Sequence, residues 1–308
     1  MDEPTDFHRD LRLARYLPQT VVGARSVGLI RKLLARSGKR PPSKGVLAQV
    51  DENVTVRLFL PRRARPKAPA VLFVHGGGYL IGNAAMGDGF CRQVADELGA
   101  VAASVEYRLA PEHPFPTPLE DCYAALRWLA ARPDVDARRI AIVGESAGGG
   151  LAAALAHLST WGTEVRPVLQ VLSYPMLDDR TTARTYPAPT RLRMWNEQSN
   201  RLGWRSYLGP AGDDISPLAA PARCDDLTAL APAWIGVGTN DLFYDENLAY
   251  AERLRQAGIA CTLRVVPGAY HGFDLVERWA PVARAFQRAR LEVLDEALNG
   301  DAGHAHAE

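Results

Sequence analysis

The sequence carries no surplus of either charge: 36 basic against 35 acidic side chains leave a formal net charge of +1. Binding to nucleic acid draws on a basic surplus, so no nucleic-acid partner is expected. Cysteine is scarce. Cys91, Cys122, Cys224 and Cys261 stand far apart with no C-x-x-C pair, which excludes a disulfide framework and a cysteine zinc site. No His, Cys and carboxylate cluster has metal-ligand spacing, so no metal is expected. No apolar run is long enough to span a bilayer, so no stable membrane insertion is expected. Residues 1–20 are charged rather than apolar, which argues against a signal peptide and for a cytoplasmic protein with reduced thiols. There is no internal repeat and no linker between independent domains. The tail Gly300 to Glu308 holds His304 and His306 and reads as a frayed terminus.

What is present is an alternation of strand and helix patterns. Val46 to Val50 and Val54 to Leu60 read as two strands around the turn Asp51-Glu52-Asn53. Strands at 70–74, 100–106, 139–143, 168–174, 233–237 and 261–266 then alternate with helices at 87–98, 118–131, 151–161, 245–256 and about 281–298. This pattern predicts a mostly parallel sheet of eight strands with helices on both faces. Residues 1–45 place leucines at helical spacing and read as one or two amphipathic helices packed on the body. The alternation breaks between Met176 and Asp226, a polar stretch with Trp195, Trp204 and Tyr207 that is too long for a plain loop. The expected organisation is one catalytic domain (46–175 and 227–298), a helical cap made of 1–45 and the insertion 176–226, and a flexible tail (299–308).

The centre of the pattern is Gly144-Glu145-Ser146-Ala147-Gly148, a G-x-S-x-G turn with a β-branched strand before it and an Ala/Leu-rich helix after it. Alone, that motif also fits a glycine-rich turn with a capping serine. In this strand–turn–helix context it places Ser146 on a sharp, strained turn at a helix N-terminus, where developing negative charge is favoured. Three further motifs follow predicted strands. His75-Gly76-Gly77-Gly78 presents backbone without side chains, and the N–H groups of Gly77, Gly78 and Ala147 are the candidate oxyanion donors. His75 at the strand end reads as a support for that loop. Asp241 follows the strand after the insertion and is the candidate acid. Its rivals Asp245 and Glu246 fall where the next helix starts, and capping explains them. His271 lies in the Gly-flanked loop after the last strand and is the candidate base. The order Ser146, Asp241, His271 is one known solution of the nucleophile–acid–base problem.

These motifs, together with the block Tyr107 to Pro116 (YRLAPEHPFP), resemble the hormone-sensitive-lipase-like branch of the α/β-hydrolases, the bacterial family IV esterases. The resemblance covers about residues 46–298. It implies an α/β-hydrolase fold and a serine carboxylesterase acting on a small-molecule ester, with no metal or organic cofactor. The Tyr107 to Pro116 block is implied to brace the wall of the site. Many members carry Asp where this chain has Glu145. An amidase or deacetylase on the same fold, and a non-catalytic binding relative, are the alternatives; a homodimer is left open. The insertion has no broad apolar run, so it reads as a packed lid over a bounded pocket. Each buried methylene adds ~0.8 kcal/mol only until such a pocket is full, which sets the direction of the trend, and the resemblance implies short-chain esters of roughly two to six acyl carbons.

Overall fold

The computed structural model describes residues 6–63, 66–161, 165–185, 191–210 and 214–300; His304 and His306, with most of the expected tail, lie outside them. Eight strands form a single sheet: β1 (Val46–Gln49), β2 (Thr55–Phe59), β3 (Ala68–Val74), β4 (Val101–Glu106), β5 (Val135–Glu145), β6 (Leu169–Ser173), β7 (Ala233–Asn240) and β8 (Cys261–Tyr270). Their order is β1-β2-β4-β3-β5-β6-β7-β8. β2 runs antiparallel to both β1 and β4, and every other pairing is parallel.

The helices are α1 (Val27–Gly38), α2 (Asp88–Gln93), α3 (Thr117–Ala130), α4 (Ala147–Leu158), α5 (Glu197–Leu208), α6 (Tyr244–Gln256), α7 (Phe273–Val276) and α8 (Pro281–Asn299). They cover both faces, which is why the inner strands read as continuous apolar runs. Every residue of β3 and of β6 is buried. Along β3 the side chains alternate: Ala70, Leu72 and Val74 pack with α3, α4 and α6, while Val71 and Phe73 pack with α2 and α8. Because β3, β5, β7 and β8 are parallel, the loops that follow them emerge along one edge of the sheet. That edge is where open α/β sheets place their sites.

The expected eight-stranded, mostly parallel sheet is present, and the differences lie in element limits. The helix expected over 151–161 starts at Ala147, because Gly148, Gly149 and Gly150 are helical residues rather than turn residues. The helix expected over 87–98 is α2, continued by a wide turn over Val94–Leu98 and stopped by Gly99 at φ 65°. The leucines near the N-terminus give one full helix, α1, and only a single turn at Ala14–Tyr16, because Pro18 follows. Among the described residues of 176–226, one helix, α5, is flanked by short turns at Asp179–Ala183 and Pro221–Arg223. The Asn196 side chain caps α5 by accepting from the Ser199 N–H at 3.0 Å.

The N-terminal segment and the insertion are tied to each other over this edge of the sheet. Arg193 Nε donates to Ala14 O at 2.9 Å, Met194 N to Pro18 O at 2.9 Å, and Ser199 Oγ to Val22 O at 2.6 Å. Asn196 Nδ2 bonds Thr20 Oγ1, and Arg191 pairs with Asp6. Leu13 N, in turn, donates to the Glu277 carboxylate at 3.0 Å. Among the described residues, no helix is long and apolar enough to cross a membrane.

Candidate active site

Ser146 occupies the single residue between β5 and α4, with φ 55° and ψ −120°. This backbone is strained for any residue with a Cβ and costs ~1–3 kcal/mol unless its surroundings fix it. Three hydrogen bonds fix it. Ser146 N donates to Ser173 O at 2.9 Å, and Ser146 O accepts from Gly150 N at 3.1 Å and Met176 N at 3.0 Å. The tight turn also needs α4 to lie directly on β3: a Cβ on Gly148 would overlap the carbonyl oxygens of Val74 and His75.

The structure brings Ser146, His271 and Asp241 into one hydrogen-bonded line. Ser146 Oγ lies 2.9 Å from His271 Nε2, and His271 Nδ1 lies 2.9 Å from Asp241 Oδ2. The second Asp241 oxygen accepts from Phe243 N at 2.9 Å, so the carboxylate is fixed at both oxygens. A carboxylate beside Nδ1 selects the tautomer with its proton there, which leaves the Nε2 lone pair facing the serine hydroxyl. Tyr174 and Phe243 set ring edges against the imidazole at centroid distances of 4.8 and 5.3 Å.

The glycine loop after β3 bends with Gly77 at φ 122° and Gly78 at φ 61°, conformations that only glycine adopts cheaply. Leu80 N and Ile81 N both donate to Gly77 O at 3.0 Å and close the turn. The N–H groups of Gly77 and Gly78 donate to no group among the described residues. Ala147 opens α4 directly after the serine, at the positive end of the helix dipole. His75 stands apart from this line. Its Nδ1–H meets Gly76 O at 2.8 Å, and its ring stacks on Tyr107 at 4.2 Å. Burial lowers its pKa from 6.5 to about 4, so it is neutral at neutral pH.

The sequence profile described as alpha/beta hydrolase fold matches residues 71–275. The chain belongs to the α/β-hydrolase family. It is 32% identical over 323 residues to the carboxylesterase NlhH of Mycobacterium tuberculosis, an alignment spanning 97% of this chain and 100% of that protein. It is 35% identical to an ethyl acetate hydrolase of Pseudomonas putida over 71% of this chain and 70% of that protein. Among solved structures, a bacterial heroin esterase superposes with a TM-score of 0.84 at 34% identity, covering 95% of this chain and 98% of that one. Esterase LipW from Mycobacterium marinum does so with a TM-score of 0.81 at 32% identity, covering 96% and 99%. The hormone-sensitive-lipase-like branch expected from the motifs is the branch of this α/β-hydrolase.

The two rival acids of this hydrolase have other partners. Asp245 is exposed and pairs with Arg184 at 3.1 Å. Glu246 is not a helix cap: it is buried and accepts from Leu177 N at 2.8 Å, Asp178 N at 3.3 Å and the Thr181 hydroxyl. Burial dominates those bonds and pushes its carboxyl up to about 8. Asn247 Nδ2 holds Pro175 O at 2.8 Å. These two residues therefore pin the start of the insertion beside Tyr174 and Met176. The Tyr107 to Pro116 block joins the loop after β3, α3 and α5. Tyr107 OH donates to His75 O at 2.9 Å, the Arg108 guanidinium grips Asp121 at 2.7 Å, and Phe115 N donates to Tyr207 O at 2.7 Å. Arg31 of α1 reaches the same region, with Nε on Leu80 O at 2.6 Å.

Sequence reasoning missed a buried charge cluster next to Ser146. Arg290 is fully buried, with Nη1 2.9 Å from Glu145 Oε1 and 3.5 Å from Asp274 Oδ2. Asp274 also accepts from Tyr174 OH at 2.8 Å. Desolvation raises the pKa of both carboxyls, and the Arg290 charge is the largest opposing influence. The available signal was Arg290 on the apolar stripe Phe286, Arg290, Leu294 of α8, where a lone cation needs a buried partner. Trp195 was named only as part of the insertion. Its ring lies so close over Gly78 that a Cβ there would overlap it, and its centroid is 6.3 Å from that of His271. Ser146 is only 6% exposed and His271 8%, so the reactive groups lie under cover. Among the described residues no group of His, Cys, Asp and Glu is gathered to hold a metal ion.

Proposed function

We propose that Ser146 is the nucleophile, His271 the general base and acid, and Asp241 the orienting carboxylate of this enzyme. Gly77, Gly78 and Ala147 supply the oxyanion hole. The chain is a carboxylesterase: relatives aligned along nearly its whole length are carboxylesterases, and its fold matches solved esterases. The observation that carries the residue roles is the relay of two 2.9 Å hydrogen bonds from Ser146 Oγ through the imidazole to Asp241.

The chemistry follows from that relay. His271 Nε2 accepts the hydroxyl proton as Ser146 Oγ attacks the ester carbonyl, and a tetrahedral intermediate forms. Its oxyanion meets the free N–H groups of the glycine loop and of Ala147; removing one such donor costs roughly 10²–10³ in kcat. Asp241 stabilises the imidazolium without taking its proton. The imidazolium protonates the leaving alkoxide, the C–O bond breaks, and an acyl-serine remains. Water then attacks the acyl group with His271 again as base, releasing the carboxylic acid and restoring Ser146.

Residues 1–45 and 176–226 act as a cap in this reading. The tie between the two segments and the seat of Trp195 over Gly78 support a bounded pocket, and hence short acyl chains. The test is kcat/KM for p-nitrophenyl esters from acetyl to palmitoyl. The expected result is a maximum at short chains, and a loss of roughly 10⁴-fold or more in kcat for Ser146→Ala. Near-wild-type turnover in that variant removes the residue assignment. A long-chain optimum with activation at an oil–water interface removes the bounded pocket.

A further inference from the structure

Buried polar atoms are almost always paired, and an exception at a site points to what the site binds. Among the described residues, twelve buried side-chain nitrogen and oxygen atoms have no hydrogen-bond partner. Four of the twelve fall within one ten-residue stretch of the cap: Trp195 Nε1, Asn200 Nδ2, Asn200 Oδ1 and Trp204 Nε1. The three residues are 3%, 0% and 1% exposed, so bulk water does not satisfy these atoms.

Their position is the inner surface of the cap. Asn200, Gly203 and Trp204 lie at i, i+3 and i+4 of α5 and so share one stripe of the helix. A Cβ on Gly203 would lie 3.0 Å from Gly78 O and 3.4 Å from the Trp195 ring, so this stripe rests on the glycine loop itself. The Trp204 ring packs toward Tyr79, the next residue of that loop, at 5.7 Å. The part of the cap that packs on the glycine loop thus carries two indole N–H donors and one amide without partners among the described residues. A pocket built only for an alkyl chain would carry apolar groups there.

We infer that Asn200, Trp195 and Trp204 form a polar specificity wall, and that this esterase prefers esters bearing a second oxygen function. That function is an ether, hydroxyl or carbonyl oxygen in the part of the substrate lying under the cap. The inference rests on the esterase reading and deepens it. A site that offers hydrogen-bonding groups discriminates against an analogue lacking the matching oxygen, because its own buried groups are then left unpaired.

The experiment compares shape-matched pairs: 2-methoxyethyl acetate with butyl acetate for the alcohol side, and p-nitrophenyl methoxyacetate with p-nitrophenyl butanoate for the acyl side. Each kcat/KM is divided by the alkaline hydrolysis rate of the same ester, which removes intrinsic reactivity. The expected result is a preference of about tenfold for the oxygenated member of at least one pair. Asn200→Leu, which has the same branching without the polar atoms, brings that ratio to about one. Trp195→Phe and Trp204→Phe keep the ring, remove the N–H, and lower the same ratio; they serve if the leucine variant does not fold. Equal corrected rates within both pairs in the wild type overturn the inference. So does an unchanged ratio in all three variants, which would mean the atoms serve one another or a fixed water. Failure of the wild type to hydrolyse any of the four esters would instead strike the esterase reading.

Discussion

Arg290→Met removes the buried cation next to the proposed nucleophile and leaves its two carboxylates in place. Glu145 Oε1 and Asp274 Oδ2 lie 2.9 and 3.5 Å from Nη1, and both carboxylate side chains are at most 3% exposed. Breaking a buried ion pair from one side costs ~3–5 kcal/mol, a large part of the ~5–15 kcal/mol that holds a typical domain together. The pH dependence distinguishes this electrostatic origin from lost packing. Burial already raises both carboxyls, so the native state holds protons that the unfolded chain gives up. Stability from these groups is therefore lost as pH rises from their unfolded values through their folded ones. Removing the guanidinium raises both carboxyls further and widens that window. Urea unfolding followed by tryptophan fluorescence should show a deficit at pH 8 that shrinks at pH 5, the direction in which the orphaned carboxyls take up protons. Turnover should fall with it, because Glu145 is bonded to Ser146 in the chain and Asp274 holds the Tyr174 ring against His271. Arg290→Lys should recover part of the stability. Equal deficits at the two pH values, or a deficit below ~1 kcal/mol at pH 8, would refute the reasoning.

Asp241→Asn should lower kcat by roughly 10⁴-fold through the wrong imidazole tautomer, whereas exposed Asp245→Asn should leave turnover within about twofold; steady-state hydrolysis of p-nitrophenyl acetate separates them. Gly78→Ala should cost at least about tenfold in kcat, because its Cβ must displace the Trp195 ring and an alanine resists φ 61°. Adding Trp195→Ala should restore part of the loss, and no restoration would place the damage in the backbone alone. Burial lowers the His157 pKa from 6.5 to about 4, so the unfolded chain binds the extra proton between those values and stability drains as pH falls through them. Relative to wild type, His157→Leu should therefore gain about 2 kcal/mol between pH 7 and pH 4.5, and a constant difference would contradict the assignment.

The residues of the hydrogen-bonded line Ser146, His271 and Asp241 were legible because the proposed chemistry demands particular types at particular places. A serine between Gly144 and Gly148, an aspartate past β7 and a histidine in the loop past β8 each end a strand pattern, and parallel strands bring such ends together. Three glycines at 148–150 looked like turn because propensity disfavours glycine in helices, yet they begin α4. The reason is a tertiary one: β3 and the start of the insertion approach too closely for side chains there. Glu246 looked like a cap for the same local reason, and only the folded-back segment at 177–181 reveals its buried role. The tie between the N-terminal segment and the insertion has no periodic signature. It joins side chains to carbonyls across almost the whole chain, and no local window contains both partners.

That tie has a consequence for synthesis on the ribosome. Val22 waits 177 residues for Ser199, and Leu13 waits 264 for Glu277. At ~5–20 residues per second, the first twenty residues spend from roughly ten seconds to nearly a minute without the surfaces they will cover. Leu11, Ala14 and Val22, all buried at the end, are exposed for that whole interval. Ser199 is made before β7 and β8, so the N-terminal segment and the insertion can meet before the sheet is complete, whereas the Leu13 bond waits until just after β8. The nascent chain can therefore join these two segments while the sheet beneath them still lacks its last strands.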